Sequence, residues 1–324
     1  MTSRRSLLAA PALLATPARA QTPAWPGSQP VTVVVPYAAG SASDLLGRII
    51  QQGLQTRLGG SFVMDNRPGG SSTLASRYVK AARPDGHTLL LGTVAGMTIA
   101  PQVVRNPGFD PVEDFSHVSV LVDTVALLVA NPRWRSLEEL LAAAKRRPGE
   151  LTYASWGVGG TGHLPMVELL RLAGADMLHV PYTSSPPALT DVIAGRIDCM
   201  LMLLGAGKSH LAEGRLRALG VANPVRTDQL PDLPTIAEQG FPGFGIAGWY
   251  AMLGPKGVPE PILERLRAAL AETLAEPAAR ETLGQNGFAP VAAAELGGPP
   301  LRARIQRDLV HFRELLARAG VQPE

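Results

Sequence analysis

Val31-Thr32-Val33-Val34-Val35-Pro36-Tyr37-Ala38-Ala39-Gly40-Ser41-Ala42-Ser43-Asp44 is the stretch that decides the fold. Its first five residues are a continuous β-branched apolar run, which predicts a buried strand. Pro36 and Gly40 end that strand. Ser41, followed three residues later by Asp44, reads as a helix start. The hydroxyl and the acid each accept an N–H group that a first turn leaves unpaired. The helix predicted from here has an apolar stripe of Leu45, Leu46, Ile49, Ile50, Leu54 and Leu58, with Arg48, Gln51, Gln52 and Gln55 toward water. A strand, a small-residue loop and a helix start in succession gather unpaired N–H groups at one spot. Such a spot holds an anion through backbone donors and the helix dipole, with no basic side chain. The plainer alternative is a well-capped βα unit that binds nothing.

Outward from this stretch the pattern repeats. A strand at 62–65 is closed by Asn66-Arg67-Pro68-Gly69-Gly70, and Ser71-Ser72-Thr73 opens a helix. Pro84-Asp85-Gly86 is a turn; a third strand at 87–92 leads to a loop at 93–97. Three βα units predict a parallel sheet covered by helices, with all three loops at the edge where ligands bind in this architecture. Residues 118–130 form a long β-rich run that reads as a crossing strand. Beyond it lies a second α/β set: helix 136–145, strand 151–154, a Gly-rich loop, strand 177–180, helix 187–194 and strands 197–202 and 216–222. The chain then returns through a short helix opened at 230–235, a strand at 249–253 and helices at 262–274 and 301–319. The expectation is an α/β protein of two domains, 21–122 with 223–324 and an inserted 123–222. The hinge would lie near 118–124 and 220–224.

Residues 1–20 read as a signal peptide. Arg4 and Arg5 precede a short apolar core at 7–14, and Ala18-Arg19-Ala20 fits a cleavage site, so the mature, periplasmic chain would begin at Gln21. Ser3-Arg4-Arg5 also hints at the twin-arginine export route. This segment carries three Arg and no acid, so its loss takes the formal charge of the 324-residue chain from +3 to zero. A neutral mature chain without a Lys/Arg cluster interleaved with aromatics argues against nucleic acid as a partner. Cys199 is the single cysteine, which rules out an internal disulfide framework in an exported protein.

Gly157-Val158-Gly159-Gly160-Thr161-Gly162 satisfies G-x-G-x-x-G, and Asp176 follows about 20 residues on. The acid, however, precedes the next strand instead of ending it, and Pro165 interrupts the helix start. A Gly-rich loop for an anion or carboxylate suits these residues better than a dinucleotide site. No G-x-S-x-G elbow occurs. His87, His117, His163, His179, His210 and His311 are scattered, with no H-E-x-x-H. No catalytic residue, metal site or cofactor is therefore expected, and no nucleophile–base pair is legible.

Val35-Pro36-Tyr37-Ala38-Ala39-Gly40 with Asp44 and Arg48, Asn66-Arg67-Pro68-Gly69-Gly70, and Pro84-Asp85-Gly86-His87-Thr88-Leu89 occur in order. So do Ser155-Trp156-Gly157-Val158-Gly159 with His163, His179-Val180-Pro181-Tyr182, Leu233-Pro234-Thr235 with Glu238 and Gly240, Trp249-Tyr250 and Gly254-Pro255. Together they resemble the solute receptors of tripartite tricarboxylate transporters, the Bug family, across the mature chain. The resemblance implies a type II periplasmic-binding fold that closes on a small organic carboxylate, delivers it to membrane permease subunits and works as a monomer. It implies a grip by Tyr37, Ala38, Ala39, Gly40, Ser41 and Ser43 in the first loop and by Ser155, Gly159, Gly160 and Thr161 in the second. His163, Thr93, Pro181, Tyr182 and Thr183 complete the candidate cleft. Ser41 stands where the family usually has a second Gly, and Gly160 where a hydroxyl is common. Trp156 beside the grip narrows the pocket. The other functional classes are an exported enzyme acting on a small acid and the binding module of a sensor.

Overall fold

The structure, a computed structural model, describes residues 25–322 apart from Thr183 and Ala247. The expected signal peptide lies outside the described residues. The first segment runs β1 (Val31–Val35), α1 (Ala42–Leu58), β2 (Phe62–Asn66), α2 (Thr73–Lys80), β3 (Thr88–Thr93), α3 (Ala100–Val103) and β4 (Phe115–Thr124). The middle runs β5 (Ala126–Ala130), α4 (Leu137–Arg146), β6 (Thr152–Ser155), α5 (Leu164–Ala173), β7 (Leu178–Pro181), α6 (Ser185–Ile193), β8 (Cys199–Leu203), α7 (Leu204–Ala212) and β9 (Arg217–Val221). The last segment is β10 (Gly248–Pro255), α8 (Glu260–Ala275), α9 (Pro277–Gln285), β11 (Phe288–Pro290) and α10 (Gly298–Arg318).

The strands form two sheets flanked by helices, in the orders β11-β4-β10-β3-β1-β2 and β7-β6-β8-β5-β9. β1 pairs in parallel with β2 and β3, so their carboxyl ends share one edge. β6 pairs in parallel with β7 and β8 in the same way. The strand arriving from the other sheet inserts antiparallel: β10 between β3 and β4, and β5 between β8 and β9. Each sheet thus has the same plan, with the crossing strands at one side and β1 or β6 two places away.

β1 is buried because it is covered on both faces, which its unbroken valines require. The stripe of α1 is buried at Leu46, Ile50 and Leu54. Gly47 and Gly53, poor helix formers at about 1 kcal/mol each, let α1 approach closely. A Cβ at Gly47 would lie 2.3 Å from Met64 Cε, and one at Gly53 2.2 Å from Thr273 on α8. Gln51, expected to face water, donates to Phe62 O at 2.6 Å.

Three expectations change in detail. The run 118–130 is two strands, broken at Val125, whose N–H donates to Gly287 O and whose carbonyl accepts from Leu204 N. Residues 93–97 are not a loop. Thr93 Oγ1 accepts from Gly96 N–H at 3.1 Å, and a wide helical turn, Ala95–Ile99, runs straight into α3. The short helix near 235 is one 3-10 turn, Ala237–Gln239, with a reciprocal cap. Thr235 N–H donates to Glu238 Oε2 at 2.8 Å and Glu238 N–H to Thr235 Oγ1 at 3.1 Å.

Candidate functional site

The first loop is built by Asp44. Ser41 caps α1, its Oγ accepting from Asp44 N–H at 3.2 Å. The Asp44 carboxylate reaches back for Gly40 N–H at 3.0 Å and takes Asn66 Nδ2 at 3.1 Å and Arg48 Nε at 3.0 Å. Asn66 Nδ2 also donates to Tyr37 O at 2.9 Å, tying the loop to β2. The Gly40 N–H, ahead of Arg48 and Asn66, holds the carboxyl below the usual aspartate range despite its burial. Gly40 sits at φ +80°, where glycine alone is unstrained. Two candidate donors are therefore spent within the loop: Gly40 N–H on Asp44, and Ser41 N–H on Ala38 O at 3.2 Å. The N–H groups of Ala38, Ala39, Ala42 and Ser43 have no acceptor among the described residues. They stand at the positive end of a 17-residue helix. The Ser43 hydroxyl is buried and donates to Tyr250 OH at 3.1 Å.

The second loop is built by two histidines. His163 Nδ1 accepts from Gly159 N–H at 3.1 Å, so the ring proton is on Nε2. Its ring stacks on His179 at 4.1 Å, and His179 stacks on Tyr153 at 4.9 Å. Burial, with His179 adding, pushes His163 down to about 4, and burial lowers His179. Both rings are neutral at pH 7. Gly160 O accepts from His163 N and Leu164 N at 3.0 Å each. Pro165 falls at the start of α5, where a missing N–H costs nothing. The N–H groups of Gly160, Thr161 and Gly162 have no acceptor among the described residues.

Ser155 and His179, 24 residues apart, form a hydroxyl–imidazole contact of 2.7 Å, so the expectation that no such pair exists is corrected. Its geometry is that of a prop. Ser155 is fully buried and donates its proton to Gly157 O at 3.0 Å, so His179 Nε2 supplies the proton between them. No carboxylate orients the other ring nitrogen among the described residues. Tyr182 braces the same loop: its N–H donates to Ser155 O at 2.8 Å and its OH to Asp191 at 2.5 Å. Pro181 ends β7 beside it. Thr183 lies outside the described residues.

Between the facing edges of the two sheets is a cavity of about 80 Å³. Tyr37 and Thr161 of the expected residues line it; Thr93 and Ser43 stand behind the wall, one capping a helical turn and the other holding Tyr250. Trp156 lines it too, as expected, with Pro165 beside it; the wall also includes Val94 and Ala95 after β3, residues 201–203 of β8, Trp249 and Tyr250 of β10, and Thr124, Ala126, Ala222, Ile246 and Gly248 at the crossings. No Lys, Arg, His, Asp or Glu is among the described lining residues. Burial pushes the Tyr250 hydroxyl up to about 12, so it stays a neutral donor. Among the described residues, no group of three His, Cys, Asp or Glu side chains gathers to hold a metal.

Residues 46–296 match the model of the tripartite tricarboxylate transporter family receptor. The chain belongs to that family. It is 37% identical over 264 residues to the UPF0065 protein in the tcbD-tcbE intergenic region of Pseudomonas sp. (strain P51), covering 81% of this chain and 78% of that one. Among solved structures, R. palustris Rpa4515 with adipate superposes with a TM-score of 0.81 at 33% identity, covering 93% of this chain and 100% of that one. The periplasmic binding protein BugD superposes with a TM-score of 0.77 at 30% identity, covering 91% and 99%. The receptor therefore has the two-domain periplasmic-binding fold, and its relatives are solute-binding proteins.

In this receptor one side chain holds both crossings. Buried Asn223 accepts from Ala126 N–H and donates to Thr124 O, both at 2.8 Å. Behind the crossings Arg304 pairs with Asp123 at 2.6 Å and Glu295 at 3.3 Å. Trp249 Nε1 donates to Asp308 of α10 at 2.7 Å. Arg318 of α10 reaches Glu168 of α5 at 3.0 Å, joining an element of each sheet layer.

Proposed function

We propose that this chain is an exported receptor that takes up a small organic carboxylate in the cleft and delivers it to the permease of a tripartite transporter. The observation that carries the reading is the pairing of two helix-start loops. Each has unpaired N–H groups, and both border one cavity without a charged side chain. Oriented N–H groups at helix starts hold a carboxylate without a cation. The grip falls to the N–H groups of Ala38, Ala39, Ala42 and Ser43 on one side, and of Gly160 and Thr161 with the Thr161 hydroxyl on the other. The relative solved with adipate supports the same ligand class. The division into 21–122 with 223–324 and 123–222 makes Asn223 the centre of a hinge, and closure brings the two loops together. On export the signal peptide is cleaved after Ala20, and the receptor acts as a monomer in the periplasm, where BugD also works.

The test is the identity of the small molecule released when protein purified from the envelope is denatured. An organic acid recovered unchanged, in stoichiometric amount, supports the receptor. Reproducible turnover of that acid by the native protein would establish the enzyme instead. Transport of the acid in cells lacking the receptor, at the parent rate, would remove the permease role.

A further inference from the structure

We infer that the ligand is a monocarboxylate with an apolar body, and not a dicarboxylate. The inference rests on the carboxylate reading above and narrows it.

The sheet orders place the donors. β1 lies two strands from β10, and β6 two strands from β5, so both donor loops stand at the outer end of the cleft. The hinge-side end is walled by Val94, Ala126, Leu203, Ile246 and Trp249. Two polar groups near that end are already committed, while the buried Thr124 hydroxyl still faces the cavity. The Trp249 N–H is given to Asp308, and the Asn223 amide is given to the two crossings. A second carboxylate there would be stripped of water and offered no cation and no side-chain donor beyond the neutral Thr124 and Tyr250 hydroxyls, a costly arrangement for a buried charge. A methyl or ring carbon meets contact surface instead. The outer wall is also rigid. Trp156 lies against Gly162, where an added Cβ would come within 3.0 Å of its ring, so a glycine at that position keeps the indole seated. The relative solved with adipate shows that the fold accepts a diacid, so the inference rests on the apolar hinge end of this chain itself.

Calorimetric titration of the purified mature chain separates the claims with matched probes: hexanoate against adipate, and benzoate against benzamide. Hexanoate or benzoate binding at least tenfold tighter than adipate is the expected result. Adipate binding as tightly as hexanoate, or more tightly, overturns the inference and leaves the carboxylate reading standing. Benzamide binding as tightly as benzoate overturns the carboxylate reading and leaves the apolar wall standing. No binding by any of the four overturns both.

Discussion

Asp44→Asn tests how the first loop is held. The carboxylate accepts from three residues, Gly40, Arg48 and Asn66, and the amide keeps one oxygen for them. With that oxygen on Asn66, the new NH2 faces Gly40 N–H and Arg48 Nε, donor against donor. Bonds to a charged acceptor contribute about 1.5–3 kcal/mol. The Arg48 side chain is more than half exposed, so its share is no more than about 0.5 kcal/mol. The loss is therefore dominated by Gly40 N–H, about 2–3 kcal/mol. At roughly 2 °C per kcal/mol for a chain of this size, melting falls by about 5 °C. The loop must then be re-ordered on binding, which weakens carboxylate affinity about tenfold. Circular dichroism melts and calorimetric titration read both. The pH dependence adds a third readout. The folded-state pKa of Asp44 is lowered, so its contribution is present above about pH 4 and is lost as pH falls through the folded value. The stability gap between parent and variant should close in that acid range. A variant that melts within 1 °C of the parent and binds equally would refute the reasoning.

Three further outcomes are expected. Asn223→Ala leaves Ala126 N–H and Thr124 O without partners in a buried setting, costing about 2–4 kcal/mol in urea denaturation; a loss under 1 kcal/mol contradicts the clamp. Gly40→Val should lose stability through its φ of +80° alone, since an added Cβ meets nothing within 4 Å, and Gly40→Asn should lose less; equal melting of the two variants shows that the backbone has moved. Folding stability should drop as pH falls from about 6.5 to about 4, because unfolded His163 takes a proton in that window and the buried ring does not. At about 1.4 kcal/mol per pH unit the drop is on the order of 3 kcal/mol. His163→Gln should remove its share of the drop, and an unchanged slope assigns the titration elsewhere.

The first loop was legible because its determinants are local. Five β-branched residues, a Pro, a Gly and a Ser three before an acid lie within fourteen positions. What Asp44 does with its second oxygen was not legible, because Asn66 arrives from another strand. The Ser155–His179 contact is hidden for the same reason: parallel pairing of β6 and β7 brings together residues 24 apart. Met202 and Trp249 read only as strand residues, since an apolar cavity wall and a core strand share one composition. The break at Val125 is set by Asn223, 98 residues downstream, and no pattern within 118–130 announces it. Strand direction is likewise absent from the pattern, so β10 gave no sign that it would insert antiparallel between β3 and β4.

The most direct test of the account is a crystal structure of the mature chain with its tightest-binding acid. The expected result is one carboxylate between the two loops, its oxygens about 2.7–3.1 Å from N–H groups of both 38–43 and 160–161, with the rest of the ligand on apolar wall. A carboxylate paired with a Lys, Arg or His side chain, or a ligand bound outside this cleft, would contradict it.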